Sequence, residues 1–100
     1  MERQELCARY RQLVRHDLPR LGQAGRWVVT KDHCFGRILL DHAVGSCWYE
    51  VLDRRRSPAF DQLDDERLAA AVALAERIVR EGDPLLRRLN TQSLAWRGKL

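Results

Sequence analysis

The stretch Thr30–Leu52, TKDHCFGRILLDHAVGSCWYEVL, decides how the chain is read. Cys34, Phe35, Ile38, Leu39, His42 and Gly45 recur at steps of three and four, the spacing that lines up side chains on one face of an α-helix. Thr30 stands where a hydroxyl can cap the first turn, and Asp32 complements the positive helix end. The spacing predicts a helix that starts near Thr30 and turns its apolar face inward. Gly45 either stops this helix, with Ser46 capping a short successor, or sits inside a longer one at a cost of about 0.5–1 kcal/mol against Ala. Burial of Trp48, Val51 and Leu52 offsets such a cost, so continuity to about Asp53 is expected.

Upstream, Leu6, Tyr10, Leu13 and Val14 predict a first helix from about Glu2 to Asp17, with Arg3, Arg9, Arg11 and Arg15 over much of its remaining surface. Pro19 and Gly22 are expected to end it, leaving RLGQAGR as a loop. Trp27, Val28 and Val29 read as a short extended segment over the open end of a helical core, because so few residues cannot make a sheet alone.

Downstream, DRRRSPAFDQLDD is the main connection. Ser57 and Pro58 form a cap-and-proline start for a single turn over Ala59 to Leu63, anchored by Phe60. Asp64 caps a third helix running to Glu81, with Leu63 and Leu68 stapled across its start. Leu68, Val72, Ala75, Ile78 and Val79 mark its inner face, and Gly82 its stop. Asp83 and Pro84 open a fourth helix in which Leu85, Leu86, Leu89 and Trp96 recur, ending at Gly98. The expected fold is all-α: a small four-helix bundle-like single domain over residues 1–100, with a short extended segment before the second helix.

Composition agrees. One hundred residues suffice for one core, and 45% hydrophobic with 32% charged residues describes a globular chain. The net charge of +4 favours an acidic partner or nucleic acid, although charge alone governs attraction and on-rate rather than specificity. No apolar run approaches the ~20 residues of a membrane span, so no membrane association is expected. The N-terminus lacks the apolar centre of a secretory signal. Cys7, Cys34 and Cys47, odd in number and without paired spacing, are expected to be reduced thiols, which together point to the cytoplasm.

The candidate chemistry concentrates on the second helix. His33, Arg37 and Asp41 follow at four-residue steps, and Arg37 to Asp41 is the spacing of an i,i+4 ion pair. Read blandly, this is a surface ladder. Read functionally, His33, Arg37, Asp41 and His42 line a polar cleft in which His33 serves as base and Arg37 holds an anion. Cys34 is a candidate nucleophile or a small core residue. A metal site built on His33, Cys34 or His42 would need groups from another helix, such as Cys7 or His16. His33 and Cys34 point about 100° apart on a helix. Cys34 and His42 lie roughly 11–12 Å apart along the axis. One zinc ion with ~2 Å bonds cannot span either pair, so neither metal nor cofactor is expected.

Arg54, Arg55 and Arg56, with Arg87 and Arg88 on the last helix, are candidate anion or nucleic-acid contacts. No aromatic residues are interleaved with the triplet as single-strand binding requires, and a position after a helix C-terminus also suits positive charge. Asn90, Thr91, Gln92 and Ser93 interrupt the last helix with hydrogen-bonding groups, some of which must face inward or toward a neighbour; Asn90 is placed to bond a buried backbone group or the second helix, with ligand recognition as the alternative. The phosphate-loop, dinucleotide-turn, G-x-S-x-G and H-E-x-x-H patterns are all missing.

The segments DHCFGRILLDHAVGSCW, SPAFDQL and LLRRLNTQSLAWRGK together resemble a group of short uncharacterised bacterial proteins, over about Asp32 to Lys99. Some members of that group carry an acetyltransferase-like label. The label implies a mixed sheet and a Gly-containing pyrophosphate loop, neither of which is in this sequence, and it supplies no catalytic residue. The leading expectation is therefore a non-catalytic protein-interaction or accessory domain, partnered by another protein or by itself. The polar cleft as a small enzyme or ligand site, and nucleic-acid binding through the basic residues, are the alternatives.

Overall fold

The computed structural model describes all 100 residues. Its first helix outruns the proline expected to stop it. Helix α1, Arg3–Gln12, passes through a π-helical turn at Leu13–Asp17 into α2, Leu18–Gly25. A proline inside a helix lacks its N–H, and its ring collides with the carbonyl four residues back. Here the preceding turn is widened: the Leu18 N–H reaches back five residues to the Leu13 carbonyl. Pro19 thereby falls in the first turn of α2, where a missing donor costs little. RLGQAGR is thus helical through Gly25, and Arg26 makes the left-handed exit at φ 54°. Gly22 is retained for packing: a Cβ there would sit 3.0 Å from the Val29 carbonyl oxygen.

Trp27, Val28 and Val29 form no strand but do close one end of the bundle. Trp27 sets its edge against Phe35 at 6.4 Å, Val29 packs on the core, and the Val28 N–H donates to Asp83 Oδ1 at 2.8 Å. Helix α3, Asp32–Val44, has Lys31 rather than Thr30 at its N-cap position, and no side chain caps it. Phe35, Ile38 and Leu39 are wholly buried along it, each contributing roughly 1.5–3 kcal/mol.

The expected continuation of α3 to Asp53 does not occur. Gly45 turns left-handed at φ 77°, and the Gly45 and Ser46 N–H groups both return to the Asp41 carbonyl, at 2.8 and 3.2 Å. A separate 3₁₀ turn follows at Trp48–Glu50. The burial that was to offset a helical Gly45 is not obtained there: Val51 is 50% exposed and Trp48 and Leu52 are only half-buried.

From Asp53 onward the expected elements form, though not from the expected caps. Pro58, not Ser57, is the residue before the single turn. Gly82, not Asp83, is the residue before the last helix, where Asp83 and Pro84 already lie in the first turn. A 3₁₀ turn at Ala59–Gln62 buries Phe60 against Tyr10, ring centroids 4.6 Å apart. Asp64 caps α4, Asp65–Glu81, by accepting from the Arg67 N–H at 2.8 Å, and Leu63 and Leu68 are buried on either side of that cap. Leu68, Ala71, Val72, Ala75 and Ile78 face inward; Val79, which the spacing puts on the same stripe, is left 39% exposed with no element over it. Gly82, at φ 73°, separates α4 from α5, Asp83–Trp96. With α1 to α2 counted as one rod, the chain is a four-helix, strand-free bundle. The rod and α3 both rest on α4, and α5 closes against α3 and α4.

Candidate functional site

Two polar arrangements meet on α3. One is internal. Asp41 is completely buried, and its carboxylate accepts four hydrogen bonds: from the Trp48 N–H at 2.8 Å, the Ser93 hydroxyl at 2.6 Å, and Arg97 Nε and Nη2 at 2.8 and 3.0 Å. A carboxylate out of water needs such a set of donors and a counter-charge. No buried side-chain polar atom in the chain lacks a partner. Arg97 is held as firmly in return: its bonds to Asp41 raise the guanidinium above its ordinary pKa, and it lies 4.7 Å from the centre of the Tyr49 ring. This hub fixes α3, the Trp48 turn and the end of α5 to one another.

The surface ladder expected of His33, Arg37 and Asp41 is therefore not formed. Each four-residue step advances about 40° round an α-helix, so Asp41 lies about 80° from His33, turned toward α5. Arg37 makes no direct ion pair with Asp41. Its Nη1 donates to Ser93 Oγ at 2.8 Å and its Nη2 to Asn90 Oδ1 at 2.7 Å. Ser93 relays between the two, accepting from Arg37 while donating to Asp41. Of the partners open to Asn90, the second helix is the one it meets, through Arg37.

The second arrangement is external. Two adjoining hollows of about 180 and 540 Å³ share Arg15, His33, Gly36, Leu40, Pro58 and Ala59, and so form one elongated groove between the N-terminal rod, α3 and the Pro58 turn. Arg11, Tyr10 and Phe60 lie at one end; Arg37, Trp48 and Tyr49 lie at the other. Arg11, Arg15 and Arg37 all lack a carboxylate within ion-pair reach. The groove's one acidic lining residue, Asp32, accepts from the His33 N–H at 2.7 Å and approaches the ring of His33 at 3.7 Å. Burial raises the Tyr10 phenol above its ordinary pKa, with the nearby Arg15 charge acting in the opposite sense.

Gly36 supplies the groove's bare floor. A Cβ built there would meet nothing closer than Val14 Cγ1 at 4.0 Å, so packing does not demand a glycine. Glycine in a helix interior nevertheless costs about 0.5–1 kcal/mol relative to Ala.

Of the four residues expected to line one cleft, only His33 and Arg37 reach this groove. Asp41 is sealed behind them. His42 points elsewhere: its Nε2–H donates to the Leu89 carbonyl at 2.9 Å and its ring meets the edge of Trp96 at 4.9 Å. Cys34 is half-buried, Cys7 and Cys47 are buried, and none is paired. No three His, Cys, Asp or Glu side chains gather as a metal cage would require.

The arginine triplet does not follow a helix C-terminus, since α3 has already ended at Val44. Arg54 instead lies over the Tyr49 ring at 3.8 Å, and Arg55 bonds back to Asp53. Gln62 fastens the loop through the Asp53 N–H and carbonyl and through the Arg56 carbonyl. On α5, Arg87 pairs with Asp83 at 2.6 Å, while Arg88 stays exposed beside a separate hollow. No helix is long and apolar enough to cross a membrane.

Sequence reasoning missed Arg15, Gly36 and Arg97 as participants. Arg11 and Arg15 one turn apart, and a glycine amid the apolar run of α3, were the available signals. Nothing local marks Arg97 as the partner of Asp41. No family model, curated protein or solved structure matches the chain.

Proposed function

We propose that the chain is a non-catalytic accessory domain that binds another protein through the groove between the N-terminal rod and α3. The observation that carries this reading is Gly36: α3 gives up helix stability at a position where packing tolerates a methyl group, and the result is an open floor between Arg15 and Arg37. Unpaired arginines beside exposed and half-buried aromatic residues are the composition found at the centre of protein interfaces. The polar groups that a catalytic cleft would need do not converge. Asp41 is committed to Arg97 and His42 to Leu89, which leaves Arg37 and His33 to serve recognition.

The test is affinity capture from the native host with tagged wild type and with Gly36→Leu, which fills the groove without altering charge. Wild type is expected to retain a discrete protein that Gly36→Leu loses. Equal capture by both, or capture of nothing by wild type, overturns the reading.

A further inference from the structure

We propose that the occupant of this groove is an acidic segment of the partner protein, bound extended with carboxylates at alternate positions. The inference rests on the groove being a protein-binding surface and goes on to name the chemistry it recognises. Charge complementarity is its first support: Arg11, Arg15 and Arg37 line the groove without internal carboxylate partners, against a single acidic lining residue, Asp32, which accepts from the His33 backbone N–H. Arg37 is the anchor. Two of its five N–H groups are tied to neutral oxygens of Ser93 and Asn90, which orient the guanidinium without neutralising it. A planar fork held in this way suits a carboxylate better than a freely moving ammonium would.

Spacing is the second support. His33 to Arg37 spans four residues of regular α-helix, about 6 Å along the axis, while Arg11 and Arg15 stand four residues apart across the widened turn at Leu13–Asp17. Alternate residues of an extended chain repeat at roughly 6.6–6.8 Å, so acidic side chains at i and i+2 keep step with the α3 wall. The bare Gly36 floor lets a backbone settle between the walls, and Pro58 and Ala59 offer apolar surface to the intervening residues. A segment of about eight residues at ~3.3 Å each fits within the 31 Å breadth of the molecule.

A nucleic acid is the less suitable occupant. Single-strand binding needs open aromatic faces for bases, whereas the guanidiniums of Arg54 and Arg97 already lie over Tyr49, and Trp48 packs T-shaped with that same ring.

The experiment is fluorescence anisotropy at low salt with a fluorescein-labelled peptide of about eight residues carrying Glu at alternate positions. Its comparators are the isomer with all Glu in one block, the Gln analogue, and an oligothymidylate of equal length. The alternating peptide is expected to bind best, to weaken as salt is added, and to lose about tenfold in affinity with Arg15→Glu or Gly36→Leu. Arg88→Glu, the same charge change outside the groove, is expected to leave binding as it was, and circular dichroism checks that each variant is folded. Equal binding of the Gln analogue, tighter binding of the oligonucleotide, or indifference to Arg15→Glu overturns the proposal. If the peptide fails while Gly36→Leu still abolishes protein capture, the acidic occupant is refuted and the binding surface stands. Failure of both experiments removes both readings.

Discussion

Asp41 organises more of this molecule than any other polar residue, and its partners lie far from it in sequence. The i,i+4 rule pairs it with Arg37; the fold pairs it with Arg97, 56 residues away, through a chain reversal that no local pattern encodes. That is why the residue was legible as chemically unusual but not as structural. Removing one partner of a buried ion pair strands the other, typically at about 3–5 kcal/mol. Arg97→Met is expected to destabilise by that amount in urea unfolding, and a loss under about 1 kcal/mol, the range of exposed pairs, would show the pair to be peripheral. Tyr10 gives a second prediction. Its folded pKa is raised by burial above the ordinary 10.0, so the folded state resists ionisation that the unfolded chain accepts freely. Its contribution is intact below pH 10 and is lost as pH rises beyond that value. Tyr10→Phe is expected to flatten the alkaline side of a stability–pH curve; an unchanged slope would assign alkaline unfolding to other groups.

At the scale of the element, caps and stops were legible where one residue decides them and illegible where a neighbour does. Asp64 and Gly82 bound α4 as their chemistry predicts. Pro19 failed as a stop because a widened turn upstream absorbs it, and Gly45 succeeded as one because it turns left-handed, with its own and the Ser46 N–H returning to the Asp41 carbonyl. The two glycines of this region separate experimentally. Gly45→Ala is expected to cost about 1–2 kcal/mol, since an L-residue is forced to positive φ although nothing crowds its Cβ. Gly36→Ala is expected to gain about 0.5–1 kcal/mol. Thermal or urea unfolding reads both, and equal signs would contradict the distinction. The tie between the Val28 segment and α5 is open to pH. The backbone bond from Val28, and then Arg87, lower the Asp83 pKa below its ordinary 3.8, so this tie is intact above that value and is lost as pH falls through the folded pKa. The Val28 amide resonance is expected to titrate with a midpoint below 3.8, and a midpoint at or above it would mean the bond is not held in solution.

Across the whole molecule, the all-α bundle was legible because the apolar periodicity of α1, α3, α4 and α5 records local geometry directly. The groove was not, because it is a property of two elements side by side: Arg11 and Arg15 on the rod mean little until α3 lies next to them with Gly36 between. The same helix sends one polar residue inward and another outward. Asp41 is neutralised within the bundle by Arg97, and Arg37 is left with only neutral partners, facing the groove. This division between a structural and a recognising arginine is the core of the account, and arginine Nε–Hε correlation spectra test it most directly. On titration with the alternating acidic peptide, the Arg15 and Arg37 signals are expected to shift while that of Arg97 stays in place and exchanges slowly with water. A shifting or fast-exchanging Arg97 beside an unmoved Arg37 would contradict it.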